Sequence, residues 1–327
     1  MTTAYELTGC IVCGSRSSRE VADADAVRDE VEQLWAFHGR RLRDAVPPEH
    51  LMDRVAFSQH APLRVVQCCD CGLVYRNPIE RAQEMIAIYR EAGPTREVLQ
   101  SLHATQARSY KAQARRLTRL AGNRGTVIEV GSYVGAFLAA ARESGWDCIG
   151  VDVNTHTNAF TRSLGFHVHD GPLETLRARP ASAIAIWNCL DQLVDPAGTI
   201  RSARARIARG GVLALRVPNG ACYAALRPAL GGPLGPAVRG WLAQNNLLGF
   251  PYRFGFTPAA LDTLVSGLGF EVVQVTGDVL VPTGDRWTRR WARVEERLGK
   301  WLGRLASRVG GSERPLAPWF ELYARAV

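Results

Sequence analysis

No stretch of the 327-residue chain is long and apolar enough to span a bilayer. Its longest uncharged apolar run, Ala181 to Leu190, is about half the roughly 20 residues that a spanning helix needs. The N-terminal residues Met1 to Glu6 have neither a basic start nor an apolar stretch, so no signal peptide is expected and the cytoplasm is the expected compartment. Dense basic tracts are also missing. The nearest are the pairs Arg115-Arg116 and Arg289-Arg290, so the net charge of +9 argues only weakly for a nucleic-acid partner. There is no internal repeat, no low-complexity tract and no Gly-x-Gly-x-x-Gly fingerprint. The seven histidines supply no obvious general base; His156 comes nearest, while His38 and His103 sit on helical stretches. With 46% apolar and 22% charged residues the composition is that of a globular protein, and the length corresponds to about two domains. Neither disulfides nor a metal is needed merely to bury a core.

Among the eight cysteines, four are arranged in a pattern. Cys10-Ile11-Val12-Cys13-Gly14 and Cys68-Cys69-Asp70-Cys71-Gly72 both read Cys-x-x-Cys-Gly. Two thiolates at this spacing grip one metal ion from a tight turn, and two such turns complete a tetrahedral site, so Cys10, Cys13, Cys68 and Cys71 are expected to hold a structural zinc. Four thiolates leave no open position for catalysis. Cys69 is an alternative to Cys68 that breaks the matched spacing, and four buried or redox-active thiols are the competing reading. Cys148, Cys189 and Cys222 lie among apolar neighbours and read as small core residues. Between the pairs, Val21, Ala24, Val27, Val31, Leu34, His38 and Leu42 have helical spacing that ends at Pro47-Pro48, which predicts a helical insertion at about 20–50.

After Asn77-Pro78 the pattern predicts a short helix at 79–91. A second helix follows, with Pro94 in its first turn, Val98, Leu102, Tyr110, Leu117 and Leu120 on one stripe, and Gly122 at its end. From Thr126 short apolar runs alternate with amphipathic helices. Strands are expected at 126–130, 146–151, 181–188, 211–217, 270–275 and 319–324. Helices are expected at 133–144 and from Thr257-Pro258 to Gly267. Near-continuous apolar strands separated by helices describe an α/β sheet covered on both faces. The expected organisation is a zinc ribbon at 1–78, connecting helices at 79–122 and an α/β domain at 123–327, with insertions at 219–256 and 283–314.

Val127-Ile128-Glu129-Val130-Gly131-Ser132-Tyr133-Val134-Gly135 runs strand, Gly-bearing turn, helix, and Asp152 closes the next strand about 20 residues later, where a carboxylate can accept both ribose hydroxyls. Tyr133 occupies the middle Gly position, which disfavours a pyrophosphate and favours a nucleoside cofactor without phosphates. Glycines that only turn the chain are the bland alternative.

These residues carry a resemblance. Residues 126–280 resemble class I S-adenosylmethionine (SAM)-dependent methyltransferases through Gly145-Trp146-Asp147-Cys148-Ile149-Gly150-Val151-Asp152, Trp187-Asn188-Cys189-Leu190-Asp191-Gln192-Leu193, Gly210-Gly211-Val212-Leu213, Pro218-Asn219 and Phe256-Thr257-Pro258. The segment ending Cys71-Gly72-Leu73-Val74-Tyr75-Arg76-Asn77-Pro78 is similar to the zinc ribbon often fused ahead of such domains. The resemblance implies a seven-stranded Rossmann-like sheet with helices on both faces, preceded by the ribbon. It implies SAM contacts from Glu129, Gly131, Ser132, Tyr133, Gly135, Asp152, Val153, Leu173 and Asn188. It also implies in-line methyl transfer to a small-molecule acceptor such as a sugar, a polyketide or another specialised metabolite. Two departures stand out: Tyr133 where many members have Gly, and Asp191-Gln192 where they have Glu-His. Asn245, Tyr252 and Arg253, within the 219–256 insertion, are expected to face the acceptor, and Tyr252, Asp191 and His156 are the candidate catalytic groups. A lid of surface polar residues competes with that reading, and an RNA methyltransferase or a binding module that has lost its chemistry competes with the whole.

Trp287, Trp291, Val294, Leu298, Leu302 and Leu305 repeat at helical spacing, with Arg or Lys at many of the intervening positions. Such a helix packs on its own domain, on a second subunit in a homodimer, or on an anionic membrane surface as a peripheral contact.

Overall fold

The computed structural model describes residues 5–43, 64–90, 93–244, 247, 253–278, 288–309 and 317–327. The N-terminal segment supplies β1 (Tyr5–Glu6), β2 (Ser18–Ala22) and α1 (Ala24–Gly39), whose cap Asp23 accepts the Ala26 amide at 2.9 Å. It continues with β3 (Val65–Cys68), β4 (Val74–Arg76) and β5 (Ile79–Glu80). Then come α2 (Ala82–Arg90) and the 26-residue α3 (Arg96–Ala121).

Three boundaries differ from the sequence reading. Ile79 and Glu80 are strand rather than helix, because they pair with Tyr5 and Glu6 across a long sequence gap. Pro94 precedes the Thr95 cap instead of filling the first turn. The insertion helix stops at Gly39, and Leu42 forms a β-bridge with Thr288.

Beyond Gly122, whose φ of 76° lets its amide turn back to the Thr118 carbonyl, the α/β part follows. It runs β6 (Thr126–Val130), α4 (Ala136–Glu143), β7 (Asp147–Asp152), α5 (Thr155–Ser163), β8 (His167–Asp170), β9 (Ala181–Trp187), α6 (Pro196–Arg206) and β10 (Ile207–Pro218). After it come α7 (Gly220–Leu226), α8 (Gly235–Leu242), β11 (Phe254–Gly255), α9 (Pro258–Ser266), β12 (Phe270–Asp278), α10 (Arg290–Val309) and β13 (Trp319–Ala326). Helix α4 starts three residues later than expected, because Tyr133 to Gly135 are spent on the turn before it. Strand β8, with two histidines and no apolar run, escaped the sequence reading.

Seven strands form one sheet in the order β12-β13-β10-β9-β6-β7-β8, parallel except for β13, which is antiparallel to both its neighbours. The chain leaves β6 toward β7 and β8 and returns on the other side through β9 and β10. The order therefore reverses between β6 and β9, and a crevice opens at their carboxyl ends. One face of the sheet buries Phe137, Leu117, Trp187 and Tyr323 against α3 and α4. The other buries Ile128, Leu213, Leu261 and Phe320, and the same cluster contains Cys10, Cys68, Leu73 and Tyr75. The cysteine-bearing segment thus shares its core with the main sheet, and each fully buried Leu or Phe there stabilises by roughly 1.5–3 kcal/mol.

A backbone junction joins the two parts. The four-stranded sheet β11-β4-β3-β2 includes β11 from the 219–256 insertion, with Phe254 opposite Tyr75 and Gly255 opposite Val74. The Gly220 amide donates to the Phe256 carbonyl at 2.9 Å. A Cβ on Gly220 would collide with the Gly255 carbonyl oxygen and approach the Gly255 carbonyl carbon to 2.7 Å. Backbone on both sides leaves little room to relax, so Gly220→Ala should destabilise by about 1–3 kcal/mol, read as a lower urea midpoint with an unchanged m-value.

Candidate active site

The site begins with a turn that most residues could not make. Gly131, Tyr133 and Gly135 have φ of 71°, 42° and 66°. Left-handed backbone is ordinary for glycine and strained for tyrosine. The turn also lies against β9: a Cβ on Gly131 would lie 2.7 Å from the Cys189 sulfur. Asp152, at the end of β7, fixes this geometry. Its Oδ2 accepts the Tyr133 amide at 3.0 Å and its Oδ1 accepts the Asn154 amide at 2.9 Å. Burial raises its pKa, and these amides pull the other way. Each oxygen keeps a further lone pair toward the crevice, so the carboxylate can still accept hydroxyls.

Several polar groups at the crevice lack partners among the described residues. Glu129 is buried, its Oε2 is unpartnered, and its pKa is raised well above the ordinary carboxylate range by burial and then by Asp152. Ser132 Oγ and Asn188 Oδ1 are buried and unpartnered as well. Asn188 takes φ 54° directly after β9, and its amide donates to the Arg216 carbonyl at 3.0 Å. Leu173 is buried in a short turn after β8, and Val153 is half-buried beside Asp152. The Tyr133 ring packs against the α3–α4 side of the core. Gly-bearing cradle, ribose-type acceptor and unpartnered donors and acceptors together fit a nucleoside carrying an amino-acid moiety.

The remaining candidates are placed as follows. Asp191 is fully buried and neither carboxylate oxygen meets a donor in good hydrogen-bond geometry; burial raises its pKa well above the ordinary value, against the weaker opposing pull of its own amide, the Gln192 side chain and Arg216. The Asp191 carbonyl accepts the Arg253 amide at 3.0 Å and the Phe254 amide at 3.1 Å. Arg253 is itself buried, and its guanidinium donates to the Glu80 carbonyl at 2.7 Å and the Leu193 carbonyl at 3.4 Å. That guanidinium holds strand ends together. His156 is exposed, with its Nε2 2.9 Å from the Pro94 carbonyl. Asn245 and Tyr252 lie outside the described residues.

Two tyrosines were not anticipated as site residues. Tyr89 on α2 donates to Gln192 Oε1, and Gln192 Nε2 donates to the Asn188 carbonyl at 2.8 Å. Asn188 Nδ2 donates to the Tyr110 hydroxyl of α3 at 3.2 Å. The connecting helices are therefore tied to the end of β9. No local sequence signal separates such tyrosines from packing residues.

The four sulfurs of Cys10, Cys13, Cys68 and Cys71 lie within 4.8 Å of one another, with Cys10 and Cys71 at 3.3 Å and Cys13 and Cys68 at 3.6 Å. These separations are far beyond the roughly 2.0 Å of a disulfide. They bracket the edge of about 3.8 Å expected of a tetrahedron with metal–sulfur bonds near 2.3 Å.

The sheet order, the cradle and the strand-end Asp152 define a class I SAM-dependent methyltransferase. A model of the methyltransferase-domain family matches residues 103–275, just over half of the chain, and the chain belongs to that family. No curated protein matches it by sequence. Among solved structures it is similar to the CcbJ methyltransferase from Streptomyces caelestis, at 17% identity and TM-score 0.44 over 74% of this chain and 96% of that one. It is similar to a SAM-dependent methyltransferase from Archaeoglobus fulgidus, at 16% identity and TM-score 0.44 over 67% and 94%. It is also similar to SAM-bound CalS10, an amino pentose methyltransferase from Micromonospora echinaspora, at 19% identity and TM-score 0.31 over 34% of this chain and half of that one.

Asp191 also yields a stability test. A carboxyl whose folded pKa is raised binds its proton more tightly folded than unfolded, so stability falls as pH rises between the unfolded and folded values. Asp191→Asn should therefore raise the melting temperature at neutral pH, and the gain should shrink as pH falls toward 4, measured by calorimetry across pH.

Proposed function

We propose that this methyltransferase acts on a small-molecule acceptor whose nucleophile carries a proton, an N–H or O–H of a sugar, polyketide or other specialised metabolite, and that Asp191 takes that proton. The observation that carries this reading is the buried Asp191 carboxyl. It lies next to the β6–β9 switch point, with both oxygens lacking a described partner and with its proton affinity raised by burial. A carboxylate whose proton affinity is raised by burial is a stronger base, once ionised, than an exposed one toward a proton on something bound beside it.

When bound, S-adenosylmethionine supplies a methyl already activated on a sulfonium. Gly131 and Gly135 let the turn beneath it pack closely on Cys189 and Thr161, Asp152 would accept the ribose hydroxyls, Glu129 and Ser132 would meet its amino-acid end, and Leu173 and Asn188 would lie along the adenine and the floor. The tie from Tyr89 through Gln192 to Asn188 holds the connecting helices over the crevice, and helices so placed exclude water and fix the approach of the acceptor. Gln192 cannot serve as a base, and of the candidate groups Asp191 is the buried carboxyl beside it.

Cys10, Cys13, Cys68 and Cys71 hold a structural zinc in this reading. Because β11 joins the cysteine-bearing sheet, the metal supports the wall from which the 219–256 insertion returns to the main domain.

Calorimetric titration of the zinc-loaded protein with SAM and S-adenosylhomocysteine tests the cofactor site. Both should bind, and Asp152→Ala should weaken binding at least tenfold, a change of about 1.4 kcal/mol. A folded protein that binds neither would make it a methyltransferase fold without chemistry. With an acceptor in hand, Asp191→Asn should lower kcat by roughly 10²–10⁴-fold while SAM affinity is kept. A kcat within a few-fold of wild type would remove Asp191 as the base. Metal analysis should return one zinc per chain, and chelation should lower the melting temperature.

A further inference from the structure

Helix α10 is held to the body of the protein by one narrow side. Ala292 is fully buried. Arg41 pairs with Glu295 at 3.0 Å and reaches Glu296 at 3.9 Å, Arg40 pairs with Glu295 at 3.1 Å, and Arg289 Nε donates to the Leu42 carbonyl at 2.7 Å. The apolar stripe faces elsewhere. Trp291, Val294, Leu298, Trp301, Leu302 and Leu305 are between 41% and 64% exposed. At roughly 100° per residue these six fall within a sector about 100° wide, and Ala292 lies outside it. Six large apolar side chains exposed on one helix form a continuous patch rather than the scattered singles of an ordinary surface. One end of the stripe is touched by the protein itself, where the Arg40 guanidinium lies 5.5 Å from the Trp291 ring centre, yet all six side chains stay at least 41% exposed; Trp287 lies outside the described residues.

The charges select what covers the patch. The sequence of α10 carries six basic residues against two acidic ones, and both acidic residues are held by Arg40 and Arg41. The basic residues recur at positions flanking one edge of the stripe, and no ion pair among the described residues involves Arg290, Arg293 or Arg297. A second copy of the chain would bring an equally basic helix against this one, and the two would repel. An apolar stripe containing tryptophans, bordered by Arg290, Arg293 and Arg297 without ion-pair partners among the described residues, suits a surface that is apolar within and negative at its rim.

We propose that α10 lies in the headgroup layer of an anionic lipid surface and docks the methyltransferase there as a peripheral protein. The helix does not span the membrane; no described helix is long and apolar enough to cross one. Tryptophans and leucines enter the boundary of headgroup and acyl chain, while the arginines meet lipid phosphates.

Flotation of the full-length, zinc-loaded protein tests this. It should float with phosphatidylcholine–phosphatidylglycerol vesicles at low salt, at least about tenfold more than with phosphatidylcholine alone, and high salt should weaken the binding. Leu298→Glu with Trp301→Glu replaces two exposed side chains, so the melting temperature should be kept while flotation is lost. Tryptophan emission of the unaltered protein should shift to the blue on the anionic vesicles and be quenched by brominated acyl chains. No flotation on anionic vesicles, or equal flotation with the double variant, would overturn the proposal. So would a protein that ignores vesicles but sediments as a dimer dispersed by the double variant, because the stripe would then be a subunit contact.

Discussion

A single carboxylate organises the switch point. Asp152 accepts one amide from the turn after β6 and one from the turn after β7, and so fixes the two chain segments that meet at the carboxyl end of the sheet. The bond to Tyr133 requires that residue's left-handed backbone, a conformation costing an L-residue roughly 1–2 kcal/mol. The cost is offset by bonds that hold this geometry: the Tyr133 amide to Asp152, and the Thr161 hydroxyl, which donates to the Tyr133 carbonyl at 2.8 Å. The cradle is therefore held by bonds within the chain itself, and the tyrosine in it packs its ring against the core instead of obstructing the backbone. Position 133 shows that the turn depends on its backbone conformation and tolerates a large side chain there.

The cysteine-bearing segment is a wall of the enzyme rather than an appendage. Arg253, Arg76 and Glu80 are all buried where its strands meet the returning insertion, and Arg76 pairs with Glu80 at 3.2 Å. Two buried guanidiniums around one carboxylate would be costly alone, and backbone carbonyls of Glu80 and Leu193 take up the Arg253 donors. Charged groups in such a place fix the register with which β11 joins β4. The amides of Arg253 and Phe254, which bind the Asp191 carbonyl, carry that register to the crevice.

Much of this was legible in the sequence, and the reasons for the rest are physical. Strands β6, β9, β10 and β13 announced themselves because burial on two faces demands apolar runs, β7 and the edge strand β12 through their β-branched residues, and the cysteine pairs through two matched Cys-x-x-Cys-Gly turns that bring four sulfurs together. Asp152 was readable from its distance to the turn. Strand β8 was not: it is a short edge strand whose His167 and Asp170 face solvent. Strands β1 and β5 were hidden because each exists only through the other, more than 70 residues away in sequence. The network around Glu321, which accepts from Gln113 at 2.8 Å, from the Tyr323 hydroxyl at 2.7 Å and from Arg116, joins α3 to β13 across some 200 residues and leaves no local pattern. Nor could the sequence distinguish an Asp191 without partners from one satisfied by its surroundings, since solvation is a property of the fold.

Net charge says little about partners for a related reason. A total of +9 suggests a diffuse attraction for any polyanion, yet part of it is spent inside: Arg76, Arg216 and Arg253 are each at most 2% exposed. Arg216 pairs with Asp278 at 3.0 Å beneath α3, where its charge supports the sheet and cannot reach a ligand in solution. Buried cations add to the formal charge while contributing little to the field outside, because their counter-charges lie beside them. Basic residues acting on a partner must be sought on the surface, and α10 concentrates them beside an apolar stripe instead of spreading them along a groove. Phosphate contact without a neighbouring apolar surface suits a nucleic acid, whereas phosphate contact bordering an apolar surface suits a lipid layer. The geometry of the charge, more than its amount, separates these two partners for this protein.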